Sequence, residues 1–98
     1  MDRQEILAKL RENETALRAR GVSHAALFGS RARGDYRPDS DIDILIEIEP
    51  GAVTDIFSYA GLKRHIADLF PERVDVVNRE ALKPALRSSA MADAVYAF

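Results

Sequence analysis

The chain has 98 residues, a formal charge of −2, 47 % hydrophobic and 31 % charged residues, and no cysteine. That length holds one core, so a single domain over residues 1–98 is expected, and the charge excludes a protein that grips polyanions through an overall basic surface. No apolar run approaches the ~20 residues of a membrane helix, Met1 to Glu5 lack a secretory pattern, and no disulfide is available. A cytoplasmic location is expected, with no membrane partner and no stable nucleic-acid binding.

Asp2 and Glu5 have the spacing of a capping box, and Ile6, Leu7, Leu10 and Leu17 then fall near one helical face, which predicts a helix from about Arg3 to Arg20 closed by Gly21. Ala25-Ala26-Leu27-Phe28 reads as a short buried strand that Gly29 breaks into a turn. Arg31 to Ser40, with Gly34 and Pro38, predicts one helical turn and a loop.

From Asp41, Ile42, Ile44, Ile46 and Ile48 alternate with Asp43, Leu45, Glu47 and Glu49, the period of a half-buried strand. Pro50-Gly51 ends it. Thr54 is the expected cap of a helix carrying Ile56, Tyr59, Ile66 and Phe70, and Arg73 to Val77 forms a third strand. The alanine-rich stretch to Tyr96 is expected to be helical after Pro84. The order predicts an α+β (α/β) fold, a small mixed sheet with helices packed on one face.

Positions i and i+2 of a strand share a side, so Asp41 and Asp43 are expected to lie together. Two carboxylates ~4 Å apart repel by about 4 kcal/mol at an effective dielectric near 20, unless a proton or a cation intervenes. A hard divalent cation suits this oxygen-only set, and His24 and His65 lie outside it, which disfavours zinc. Should the strand of Asp75 run beside that of Asp43, a third carboxylate joins and a two-metal site becomes available. Gly29 permits a close backbone approach, Ser30 and the amides after it suit phosphate oxygens, and Arg31, Arg33 and Arg37 offer forked guanidinium contacts. Taken singly each feature has an ordinary explanation: a common turn, a capping residue, an ion pair or a solvated edge.

The segment Gly29-Ser30, ten residues, then Asp41-Ile42-Asp43 resembles the Gly-Ser-x10-Asp-x-Asp signature of minimal nucleotidyltransferases of the polymerase-β type, in the MNT branch paired with HEPN proteins. Arg73 to Val77 and Ala81 to Arg87 are similar to that family's third-carboxylate strand and C-terminal helix. The resemblance implies Mg2+-dependent transfer of AMP from ATP, with two ions held by Asp41, Asp43 and Asp75, which are also the catalytic set. It assigns nucleotide binding to Gly29, Ser30, Arg31, Arg33 and Ser40. It further implies a HEPN-domain toxin as partner and a tyrosine hydroxyl as acceptor, so that the chain acts as an antitoxin.

Two other readings stay open on the residues: a binding module that neutralises its partner by occlusion, and a two-metal phosphohydrolase or nuclease. Leu45 and the C-terminal helix with Tyr96 and Phe98 are expected to offer apolar surface for a homodimer or for the partner.

Overall fold

The first helix starts as its sequence prescribes. In the computed structural model, which describes residues 1–98, the Glu5 amide donates to Asp2 Oδ1 at 2.9 Å and the Asp2 amide donates to Glu5 Oε1 at 3.1 Å. Helix α1 (Arg3–Glu12) then buries Ile6, Leu7 and Leu10. It does not continue to Arg20: Asn13 Nδ2 donates to the Lys9 carbonyl at 2.8 Å, and the chain restarts as α2 (Glu14–Ala19) with Leu17 inside. A side-chain amide competing for backbone partners explains the break.

Strand β1 (Val22–Phe28) begins three residues earlier than Ala25 and runs antiparallel to β2 (Ile42–Ile48), with Ala25 opposite Ile46, Leu27 opposite Ile44 and Phe28 opposite Asp43. The short α3 (Gly29–Arg33) joins them. Helix α4 (Ile56–Ala67) is capped by Asp55 rather than Thr54, its two carboxylate oxygens accepting from the Ser58 amide and hydroxyl, each at 2.8 Å. It ends three residues short of Phe70, which still packs into the core. Strand β3 (Val74–Asn78) then pairs in parallel with β2.

After β3 the chain makes a 3-10 turn (Arg79–Ala81), and the helix expected to reach Tyr96 covers only Pro84–Asp93 as α5. Val95–Tyr96 leave it as β4, pairing antiparallel with β1 opposite Leu27 and Ala26. The sheet order is β3-β2-β1-β4. Two β-forming residues with a free strand edge beside them override the helical composition of the tail.

Strand alternation divides the sheet into two faces. Ala25, Leu27, Ile42, Ile44, Ile46 and Val76 join the residues of α1, α2 and α4 in one cluster, where a fully buried side chain such as Ile44 contributes roughly 1.5–3 kcal/mol. Ala26 and Leu45 are buried outside that cluster, as is Ala90 of α5. Helices therefore cover both faces, with α5 on the second, and Leu45, expected as free apolar surface, is 1 % exposed. Asp43 and Asp75 belong to this second face. No helix is long and apolar enough to cross a membrane.

Candidate active site

The parallel register sets Asp43 of β2 directly opposite Asp75 of β3. Period two fixes the side of the sheet each residue takes, and the adjacency of β2 and β3 brings the two carboxylates to the same place on it. Burial first, and then the charges of Asp75 and Asp41, push the Asp43 carboxyl above the usual carboxylate range, with Arg33 opposing. Asp41 stands one residue ahead of β2, close enough to act on Asp43, while its own Oδ1 lies 3.6 Å from Arg73 Nε.

Gly29 adopts φ +73, and a Cβ placed on it would come 2.3 Å from Asp43 Oδ2. Only glycine brings the backbone this close to the carboxylate. A cleft of about 300 Å3 opens here, lined by Gly29, Arg33, Asp43 and Asp75 and walled on its other side by Leu82, Leu86, Ser89 and Asp93. Two larger clefts, of about 540 and 590 Å3, lie elsewhere, around Pro50 and around Gly21, and neither holds opposed strand carboxylates.

The arginines of the turn part company. Arg33 stays half-exposed in the cleft, donating from Nε to Asp35 at 3.1 Å and from Nη1 to Asp93 at 2.7 Å, contacts that raise its pKa. Arg31, expected at the phosphates, turns inward: it is 1 % exposed and its donors go to the Met1 and Ser40 carbonyls and to Glu72. The N-terminal ammonium and then Arg31 hold the Glu72 carboxyl below its usual range.

Ser40 braces the loop as well, its Oγ accepting from the Arg37 amide at 3.1 Å, and neither Ser40 nor Ser30 lines the cleft. The Ser30 carbonyl accepts from the amides of Gly34 and Asp35, closing the turn. Asp93, Leu82 and Leu86 are cleft residues that sequence reading did not single out. Their helical spacing was visible, but not which face of the sheet α5 would cover.

The donor set suits a hard cation: its oxygens are carboxylate, and burial together with the neighbouring carboxylate charges raises the Asp43 pKa, a cost that a divalent ion would offset. The expected trio is not gathered: Asp41 lies outside the cleft lining, and no three acidic or imidazole side chains are grouped so as to hold an ion, which leaves Asp43 and Asp75 as the paired carboxylates. This fits magnesium, which binds through one or two carboxylates and fills its octahedron with water and substrate phosphate.

A model of the nucleotidyltransferase domain family matches residues 4–97. The protein adenylyltransferase MntA of Thermococcus cleftensis is 32 % identical over 94 residues, covering 95 % of this chain and 93 % of that protein. A solved structure described as a minimal nucleotidyltransferase superposes with a TM-score of 0.69 at 34 % identity, over 97 % of this chain and 95 % of that one. The fold is shared, at 18 % identity and a TM-score of 0.64 over 94 % of this chain and 71 % of the other, with a complex described as a tri-AMPylated Shewanella oneidensis HEPN toxin with MNT antitoxin. A mixed sheet carrying adjacent carboxylates beside a glycine turn thus coincides with agreement along almost the whole sequence, and the chain belongs to the nucleotidyltransferase domain family.

Proposed function

We propose that residues 1–98 form a single minimal nucleotidyltransferase domain that moves AMP from ATP to a tyrosine hydroxyl of a HEPN-type toxin and thereby acts as an antitoxin. The observation that carries this reading is the pairing of Asp43 with Asp75, with the Gly29 backbone against the Asp43 carboxylate. The family supplies the reaction class, and the relative named as a protein adenylyltransferase, together with the AMPylated complex that shares the fold, supplies the acceptor class.

In this mechanism Asp43 and Asp75 would hold magnesium, with Asp41 the further carboxylate that the Asp-x-Asp signature implies, and the turn at Gly29 and Ser30 would present backbone amides to the β and γ phosphates. Bound magnesium supplies charge compensation for the phosphate oxygens and an oriented triphosphate. Arg33 places a guanidinium beside the same phosphates. The acceptor oxygen attacks the α phosphorus in line as the bond from that phosphorus to the bridging oxygen breaks, pyrophosphate leaves, and the hydroxyl proton passes to Asp75. The cleft is too small to enclose an acceptor, so a docked protein supplies the missing wall.

Incubating the purified chain with a HEPN-type partner and Mg-ATP is expected to add AMP to a partner tyrosine, read by peptide mass spectrometry. An unmodified partner, where a stable complex has formed, overturns the reading.

A further inference from the structure

Arg31 is the one charged side chain that the fold buries. The transfer mechanism gives it no contact with the nucleotide, and a buried ion pair is weak evidence for stability, since an apolar side chain often fills the same volume at no loss. Its partners point to another task. Nη1 donates to the Met1 carbonyl at 2.9 Å, while Nη2 donates to the Ser40 carbonyl and to Glu72 Oε1, each at 2.8 Å. The Tyr36 ring lies over the guanidinium, 4.4 Å from Cζ.

Two of these three anchors, Ser40 and Glu72, adjoin a segment of the site, while Met1 ties the same guanidinium to the N-terminus. Arg31 follows Ser30 directly, Ser40 immediately precedes Asp41, and Glu72 stands three residues before Asp75 on the approach to β3. One rigid guanidinium thereby joins the segments carrying the Gly29 turn, the Asp41–Asp43 pair and Asp75. A planar fork fixes directions as well as distances, which the single ammonium of lysine does not.

We propose that Arg31 is a positioning residue for nucleotidyl transfer: through Ser40 and Glu72 it sets the separation between the Gly29-Ser30 turn and the carboxylates of Asp43 and Asp75. The inference rests on the transfer reading of the cleft, but it also has a structural readout that needs no nucleotide. Arg31→Lys keeps the charge and loses the fork. Glu72→Ala releases one arm from a partly exposed position, so it keeps the test open should the buried variant fail to fold.

In the complex with partner and Mg-ATP, below the melting temperature of each variant, kcat is expected to fall about 10- to 100-fold, as misplacement of reacting groups by about 1 Å does. KM for Mg-ATP stays near the parent value. Leu17→Ala, a core substitution on α2 remote from the loop, serves as the stability control and keeps the parent kcat once folded. In the nucleotide-free protein, Glu72→Ala is expected to move the amide resonances of Ser30, Asp43 and Asp75 together. Folded variants that transfer at the parent rate, a control that loses as much kcat, or resonance changes confined to residues 31, 40 and 72 each overturn the proposal. If the parent shows no transfer at all, the functional reading fails on its own and the resonances alone decide the positioning role.

Discussion

Alanine at position 29 measures how tightly the turn and the carboxylate are fitted. Gly29 sits at φ +73, a left-handed conformation that costs an L residue roughly 1–2 kcal/mol. The added Cβ would stand 2.3 Å from Asp43 Oδ2, whereas ordinary contact begins at 3.4 Å, so the carboxylate or the turn must retreat by about 1 Å. The strain alone lowers Tm by about 4–16 °C in a domain of this size. The displacement, at the atom proposed to hold the metal, lowers the rate of AMP transfer by about 100-fold. Gly51 supplies the comparison: it has φ +78, nothing within 4 Å of its added Cβ, and a place in the connection after β2 at the far end from Asp43. Gly51→Ala is therefore expected to lose comparable stability and to transfer AMP at the parent rate. Single-turnover incorporation, measured where circular dichroism shows both variants folded, separates the effects. Full activity in Gly29→Ala, or equal losses in the two variants, refutes the close-approach argument.

Three further outcomes follow from the electrostatics. Asp43 carries a raised pKa, so its carboxylate opposes folding of the metal-free protein; Asp43→Asn should raise Tm in chelator, abolish transfer and remove the stabilisation by Mg-ATP, and a lower Tm in chelator would contradict this. The two Ser58 bonds, backbone first, depress the Asp55 pKa, so this cap contributes above the ordinary value of 3.8 and is lost as pH falls through that region toward the lower folded value. Asp55→Asn keeps a capping oxygen without that titration, and melts between about pH 5 and 2 should show a shallower decline than the parent. Burial, followed by the 2.7 Å bond that Tyr96 donates to Glu47, raises the phenol to about 12; its stabilisation is present below pH 10.0 and disappears through about 12, and a phenolate absorbance difference between the parent and Tyr96→Phe that titrates near 10 would remove the bond from the account.

How far the site could be read from sequence depended on which physical signal each residue carried. Period two placed Asp43 on one side of its strand, but nothing local to β3 states that it pairs with β2 in parallel, and that pairing is what brings Asp75 to Asp43. By residue type alone Arg31 and Arg33 are equivalent phosphate ligands. Two residues apart on a helical turn, they point about 200° apart, so at most one could face the cleft, a signal that was present in the spacing. The Asn13 break depends on one side-chain bond inside an otherwise regular apolar pattern. Asp93 enters the site only because α5 lies over the second face and then turns into β4, an arrangement set by the free edge of β1 rather than by alanine-rich local sequence.

On the proposed transfer reading, the charge of the cleft decides in what form a triphosphate would enter it. Its lining holds Asp43, Asp75 and Asp93 against Arg33 alone, a balance of −2 when all are ionised, and this equals the formal charge of the whole chain. The remainder of the molecule is therefore neutral in sum and adds no net positive charge to draw an anion in. Arg33 is already shared between Asp35 and Asp93, so it leaves the Asp43–Asp75 pair largely uncompensated. Free ATP would meet like charge in a partly desolvated site, where such pairs repel by several kcal/mol at ~4 Å. A nucleotide arriving with its own divalent ion would meet carboxylates short of a cation, so on this reading the acidity that opposes the bare triphosphate would favour its metal complex.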